Sequence, residues 1–322
     1  MPIDSAVFEE LSRTAEAIVT GSRRPPSVPS HQLPLFHYTD VRAFSAIVET
    51  GHLWATHIAY MNDASELSYG ASVLTDETTR RLRASPSSTA RMFLERAALV
   101  FTNDLFQDFY VTCFCEAGDL LSQWRGYGAN NGYAIGFHHG ILRTACSAAV
   151  MGSDGPIRIP YELVQVTYDV REQAQLIAAI LDEAERIALG CVTTDGVVVP
   201  EDVVPRVLSA IAPSVVRAFA TMKNPVFSAE KEWRLIYSSG PLDRFLDAGA
   251  VTFRVADAHL VPYLNVNVCG AGTPLGRLPI ESVVVGPTAT PTLARQAAIA
   301  LLRQTGYSSS SNVTSSTIPL RK

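Results

Sequence analysis

Three short stretches of this chain set polar or aromatic groups at the end of a strand-like run, beside a break in regular structure. They are Phe36-His37-Tyr38-Thr39, the run from Gln123 to Phe137, and Ala229-Glu230-Lys231-Glu232-Trp233-Arg234. A histidine that ends a strand just before a helix can turn its ring into a cleft, where the first helix amides are placed to grip a ligand. Taken alone, a histidine bonded to a carbonyl in the core is the plainer reading. The second stretch gathers Trp124, Tyr127, Asn130, Asn131, Gly132 and Tyr133. Aromatic faces stack on flat heterocycles and glycines admit close backbone approach, the alternative being a core aromatic patch around a turn. In the third, Glu230 and Glu232 alternate, so an extended backbone would turn both to one face, with Trp233 and Leu235 opposite Glu232 and Arg234. A carboxylate at a cleft mouth can stabilise an oxocarbenium-like centre while a glycosidic bond breaks. The alternative is a solvated Glu-Lys-Glu entering an edge strand.

The elements that must position these groups follow from periodicity. Residues 5 to 21 carry apolar positions at helical spacing, and a Pro/Ser-rich segment follows, so residues 1–32 read as a helix and an irregular lead-in. From Leu33 the chain reads strand, His37, then a helix with Asp40 as N-cap and Gly51 as C-cap. The Asn62-Asp63 pair opens another helix, and residues 77 to 104 continue helical across a Ser-Pro-Ser-Ser break. Strands are expected in FYVTCFCE, YAIGF, IRIPYELVQVTYD, EWRLIYSS, AVTFRVADAHLVPYLNVNV and IESVVVGP, with helices at 171–190 and 201–223 interrupting them as an insertion. A closing helix at 291–305 precedes a Ser/Thr-rich tail, 307–322, expected to be poorly ordered. Short strands mixed with helices outside any βαβ alternation predict an α+β fold, read as a single elaborated domain over 33–306. No Gly-x-Gly-x-x-Gly follows a strand and no Gly-Lys-Ser/Thr occurs, so dinucleotide-binding Rossmann and P-loop readings are weak.

Composition narrows the function classes. With 47% hydrophobic and 18% charged residues the chain can bury a full core, and its net charge of -5 gives no overall basic field for nucleic-acid phosphates. The arginines Arg80, Arg81, Arg83, Arg91 and Arg96 read as a solvated helix face. Five cysteines make neither a disulfide framework nor a zinc spacing, and Cys113 and Cys115, sharing a strand face, read as buried thiols in a reducing cytoplasm. No metal is expected. The N-terminus lacks a basic-then-apolar signal, and no apolar run reaches the roughly 20 residues of a membrane span.

LFHYTDVRAFSAIVETGHLWAT is similar to the first NAD-binding motif of DarT-type nucleic-acid ADP-ribosyltransferase toxins: strand, His-x-Thr, then a helix closing on Gly-x-Leu. The series His37-Tyr38-Thr39, Met61-Asn62-Asp63, Cys113 to Glu116, Trp124-x-x-Tyr127, Gly132 to Phe137 and Glu230 to Arg234 resembles, over about residues 33 to 290, a bacterial domain-of-unknown-function family associated with phage defence. The resemblance implies an ADP-ribosyltransferase-like split two-sheet core, with NAD as substrate in the cleft between the sheets. It implies that His37 holds the adenine-side ribose and, with backbone at Tyr38 and with Thr39, seats the nicotinamide amide. Tyr127 or Tyr133, beside Trp124, stacks on the nicotinamide ring. Glu232 acts on the nicotinamide ribose, and Glu230 orients an acceptor. Asn62 and Asp63 cap their helix or contact substrate, and Arg234 contacts substrate. The implied activity is NAD-dependent ADP-ribosyl transfer, a glycosyltransferase reaction, to a nucleic acid or protein in the cytoplasm, by a toxin or antiviral defence effector with a neutralising partner protein. NAD hydrolysis and a non-catalytic NAD or nucleotide sensor are the alternatives.

Overall fold

The computed structural model describes residues 5–21, 34–61, 65–84, 86–103, 109–128, 132–145, 147–191, 200–238, 249–256, 259–268, 277–307 and 312–319. Where one domain is expected, the chain forms two compact units. One comprises Met1–Pro25, Met61–Gln107 and Thr167–Val226; the other comprises Pro26–Tyr60, Asp108–Val166 and Phe227–Lys322.

The first unit is helical. It holds α1 (Ser5–Gly21), α3 (Ser65–Arg83), α4 (Ser88–Asn103), α7 (Val170–Gly190) and α8 (Pro200–Ala220). The leading helix is therefore part of a bundle rather than a tethered preface: Leu11, Ala15 and Val19 of α1, four residues apart, are fully buried with Leu181 and Ala184 of α7 and Val207 and Ile211 of α8. Asp169 caps α7 by accepting from the amides of Arg171 at 2.8 Å and Glu172 at 3.1 Å. Arg81 departs from the solvated reading of its neighbours. Its side chain is 12% exposed and pairs with Glu77, Asp182 and Glu185 at 2.7 to 3.2 Å, while Arg80 stays 69% exposed. Helical facing decides this, since only one position in a consecutive pair can point inward. Among the described residues, Glu201–Ala220 is long and apolar enough to cross a membrane by length and composition, and 61% of that window is buried, as in a core helix.

The second unit is built on a sheet. Its strands are β1 (Leu35–Thr39), β2 (Leu53–His57), β3 (Phe109–Cys115), β4 (Tyr133–Phe137), β5 (Ser147–Gly152), β6 (Gly155–Gln165), β7 (Glu232–Ser238), β8 (Val251–Ala256), β9 (His259–Asn267), β10 (Ile280–Val285) and β11 (Val313–Ser315). Among them lie α2 (Val41–Thr50), α5 (Leu121–Tyr127), α6 (His139–Ala145) and α9 (Pro291–Gln304). The order is β11-β10-β4-β1-β3-β2-β9-β5-β6-β7, with β8 on β9, and β7 returns to pair with β3. The strands from β3 through β2, β9, β5 and β6 to β7 thus form a closed circuit. Leu53, Tyr110, Val150, Tyr161, Leu235, Tyr237 and Leu264 are buried together on one of its faces.

One feature of this sheet positions the site. On the edge of β3 away from β7, Tyr110 and Val111 pair with β2, whereas Cys115 pairs with Phe36 of β1. The two neighbours share one edge of β3 without pairing with each other, so the sheet forks between β1 and β2. The joining helix α2 is capped as its sequence predicts: Asp40 accepts from the Ala43 amide, and Gly51 closes it with φ 69°, a left-handed conformation that suits glycine.

In the Ser/Thr-rich tail, expected to be poorly ordered, residues 312–319 have a defined place. Val313–Ser315 add to β10 as a parallel strand, and Asp119 receives hydrogen bonds from Ser316 Oγ, Thr317 N, Thr317 Oγ1 and Trp124 Nε1. Hydroxyls and backbone satisfied by one carboxylate replace the missing apolar burial. Burial pushes the Asp119 carboxyl up, but these hydrogen bonds outweigh it and hold it below its ordinary value. Its contribution is therefore complete above about pH 3.9, the unfolded value, and disappears as pH falls through the lower folded value. Asp119→Ala should cost about 1–2 kcal/mol, the carboxylate being partly exposed. Lower amide-exchange protection factors confined to residues 313–318 in the variant, and in the wild type at acid pH, are the check.

Candidate functional site

Beside the fork lies a cavity of about 500 Å³, lined by His37, Thr39, Ala43, Ala46, Ile47, Thr50, His52, Trp54, Tyr263 and Asn265. All belong to the second unit. β1 supplies His37 and Thr39, α2 supplies Ala43, Ala46, Ile47 and Thr50, the turn after it His52, β2 Trp54, and β9 Tyr263 and Asn265. The volume is within the roughly 300–1,000 Å³ of small-molecule sites.

His37 is held by its Nδ1, which donates to the Cys113 carbonyl at 2.9 Å on the neighbouring strand. A carbonyl can only accept, so Nδ1 carries the proton, and the neutral ring keeps Nε2 as an acceptor. Burial pushes this imidazole below its ordinary value, opposed by the Cys113 hydrogen bond, so the neutral form is the one present at physiological pH. The ring lies 5.9 Å from Phe114. His52 is set in the same way, its Nδ1 donating to the Thr50 carbonyl at 2.7 Å. The cavity is thus offered the Nε2 acceptor of His37, the His52 ring, the Thr39 hydroxyl, the Asn265 amide and the ring pair Trp54–Tyr263, whose centroids are 4.7 Å apart at 42°. This set suits a polyhydroxylated ligand with a flat ring. Among the described residues no group of three or more His, Cys, Asp or Glu could hold a metal ion.

Residues 123–235 match the sequence profile of a family described as Protein of unknown function (DUF2971). The match takes in Trp124, Tyr127, Tyr133, Glu230, Glu232 and Arg234, but not β1 with His37. No curated protein and no solved structure matches the chain.

The structure brings His37 and Thr39 into one hollow, and the other expected site residues that are described do not line it. Phe36, Cys115 and Glu232 are register partners, so Glu232 shares their face of the sheet, while His37 lies on the opposite face with Phe114 and Trp233. Glu232 is 4% exposed and accepts from Arg234 Nε at 2.7 Å, with Arg234 wholly buried. Their opposition to Trp233 and Leu235 follows the sequence expectation; the joint facing of Glu230 and Glu232 does not. Residues Pro225–Glu230 form a 3-10 turn and Lys231 has φ 43°, so extended backbone begins only at Glu232. Without continuous strand from Glu230, the two-residue alternation does not apply.

The aromatic candidates also have structural duties. Tyr38 and Trp124 meet edge to face at 4.7 Å in a cluster with Cys115 and Ala134, on the sheet face opposite His37. Tyr38 donates to the Ala117 carbonyl at 2.7 Å and accepts from the Leu120 amide at 3.0 Å, which fixes the turn after β3. Tyr133 stacks on Phe44 at 4.0 Å and 13° within the core, and Tyr127 is exposed on α5. None of these four lines the cavity. Asn62 and Asp63 lie outside the described residues.

His52, Trp54, Tyr263 and Asn265 are the lining groups that sequence reading passed over. The apolar frame Gly51-x-Leu53-x-Ala55 was visible, and His52 and Trp54 occupy its unassigned positions. In β9, Tyr263 and Asn265 alternate with Leu264 and Val266, a two-residue period that marks a strand with one polar, ligand-accessible face.

Proposed function

We propose that the hollow beside the β1–β2 fork is a nucleotide site whose substrate is NAD, and that the protein is an ADP-ribosyltransferase acting on a macromolecule, nucleic acid or protein, in the cytoplasm as a toxin or phage-defence effector. The observation that supports this most is His37: it stands in β1 in the resembling His-x-Thr motif, lines the cavity with Thr39, and has its tautomer fixed by the Cys113 carbonyl. In this reading Nε2 accepts a hydrogen bond from a ribose hydroxyl, and the Thr39 hydroxyl and α2 amides seat the ligand's polar groups. Cleavage of the bond between ribose C1′ and the nicotinamide nitrogen releases nicotinamide, and an acceptor nucleophile takes its place. The protein contributes position and a partly water-excluded wall.

The lining favours a second reading. Because Glu232 is not among the residues that line the hollow and is engaged by Arg234, no lining residue fills the carboxylate role implied by the resemblance, and a non-catalytic nucleotide-binding module accounts for the same cavity. Labelled NAD incubated with cell lysate separates these readings when wild type is run beside His37→Phe. Transfer predicts nicotinamide release together with label that nuclease or protease removes, reduced at least about tenfold in the variant by loss of the hydrogen bond. Free ADP-ribose without labelled macromolecule would assign NAD hydrolysis. Thermal stabilisation by NAD without nicotinamide would assign the binding module, and no response to NAD in any assay overturns the nucleotide reading.

A further inference from the structure

We propose that β2, β9 and β8 together form a recognition platform for the base and phosphate of a nucleotide, with Trp54 as the stacking surface and Arg254 as the phosphate anchor. The inference rests on the reading of the adjoining cavity as a nucleotide site and extends it onto a strand that reading does not use.

The register supplies the platform. Trp54 pairs with Asn265 and Thr56 with Tyr263, while Thr252 of β8 pairs with Tyr263 and Arg254 with Val261. Partners share a face and alternate positions share it too, so Trp54, Asn265, Tyr263, Thr252 and Arg254 present one continuous surface across three strands. Its inner part lines the cavity through Trp54, Tyr263 and Asn265. Trp54 is 41% exposed, unusual for the largest side chain, with Tyr263 packed beside it. Asn265 Nδ2 reaches Thr252 Oγ1 at 3.4 Å, tying β9 to β8 at this point.

Arg254 is the telling residue. Its guanidinium carbon is 5.8 Å from the Trp54 ring centroid, yet its Nε is buried with no hydrogen-bond partner among the described residues. A buried N–H without an acceptor is costly, and among native structures such a group calls for a ligand or ion that completes it. The planar fork beside an aromatic face matches an anion carried by a stacked ring: a phosphate oxygen completes Nε while the base lies on Trp54. A pure stacking role for Arg254 over Trp54 leaves the Nε–H unexplained.

Calorimetric titration of the full chain with AMP, adenosine and inorganic phosphate tests this. AMP should bind at least about tenfold more tightly than adenosine, a charge-assisted contact being worth that much. Arg254→Gln should erase the difference while leaving adenosine affinity in place, and Trp54→Ala should weaken both nucleoside ligands about tenfold. Thermal melts of both variants confirm that they fold. Equal affinity of wild type for AMP and adenosine, or a preference that survives in Arg254→Gln, overturns the platform. Failure of the NAD reading has a different signature: an Arg254-dependent AMP preference in a protein that neither binds nor cleaves NAD.

Discussion

Glu232→Ala is expected to lower stability by about 3–5 kcal/mol, because it leaves a buried cation without its carboxylate. Arg234 is wholly buried, and its Nε donates to Glu232 at 2.7 Å inside a strand flanked by β3 and β6. Urea midpoints for Glu232→Ala and Glu232→Gln beside wild type measure the effect. The glutamine keeps an acceptor at the same place and should lose distinctly less. Joint replacement of Glu232 by Leu and Arg234 by Met should recover much of the loss, since apolar groups of similar volume often replace a buried ion pair at no net cost. An alanine variant as stable as wild type would show that the pair is dispensable. The result also governs any activity assay: inactivity of Glu232→Ala says nothing about chemistry until the chain is shown to be folded, which is why His37→Phe is the better probe of the hollow.

The second large effect is expected from a single methyl group at Gly132. A Cβ built there would lie 2.5 Å from Gly128 Cα and 2.6 Å from the Thr39 carbonyl oxygen, both backbone atoms that cannot rotate away. The Gly286 amide also donates to the Gly132 carbonyl at 2.9 Å, so the strand end is held from two sides. Gly132→Ala should cost about 3 kcal/mol, the upper end for overpacking, and should weaken nucleotide binding because Thr39 lines the cavity. Gly126→Ala is the control. Nothing lies within 4 Å of a Cβ at that position in α5, so this change should be neutral or stabilising by up to about 1 kcal/mol. Equal melting temperatures for the two variants would refute the packing argument.

Local chemistry was legible in the sequence; facing across distant strands was not. The capped helix after His37, the β3 run and the two long insertion helices follow from periodicity and cap residues, which act over a few positions. Where Glu232 points depends on pairing between β3 and β7, strands more than a hundred positions apart, and a shift of one residue reverses every side chain. The left-handed turn at Lys231 has no glycine or asparagine to announce it. The glycines at 128 and 132 were read as room for a ligand, and instead allow the chain to approach itself. Tyr127, Tyr133 and Trp124 have types that suit stacking on a ligand, but aromatic type alone does not separate a ligand platform from a packed turn.

The circuit of strands that returns from β7 to β3 carries a kinetic consequence. Hairpins such as β5–β6 and β8–β9 bring together neighbours along the chain and can assemble early, whereas joining β7 to β3 and β9 to β2 must wait for the ends of long intervening segments to meet. Until those seams zip, rows of unsatisfied amides and carbonyls are exposed and prone to mispairing with another chain. Refolding should therefore be slow and concentration-sensitive even though the finished ring is sealed.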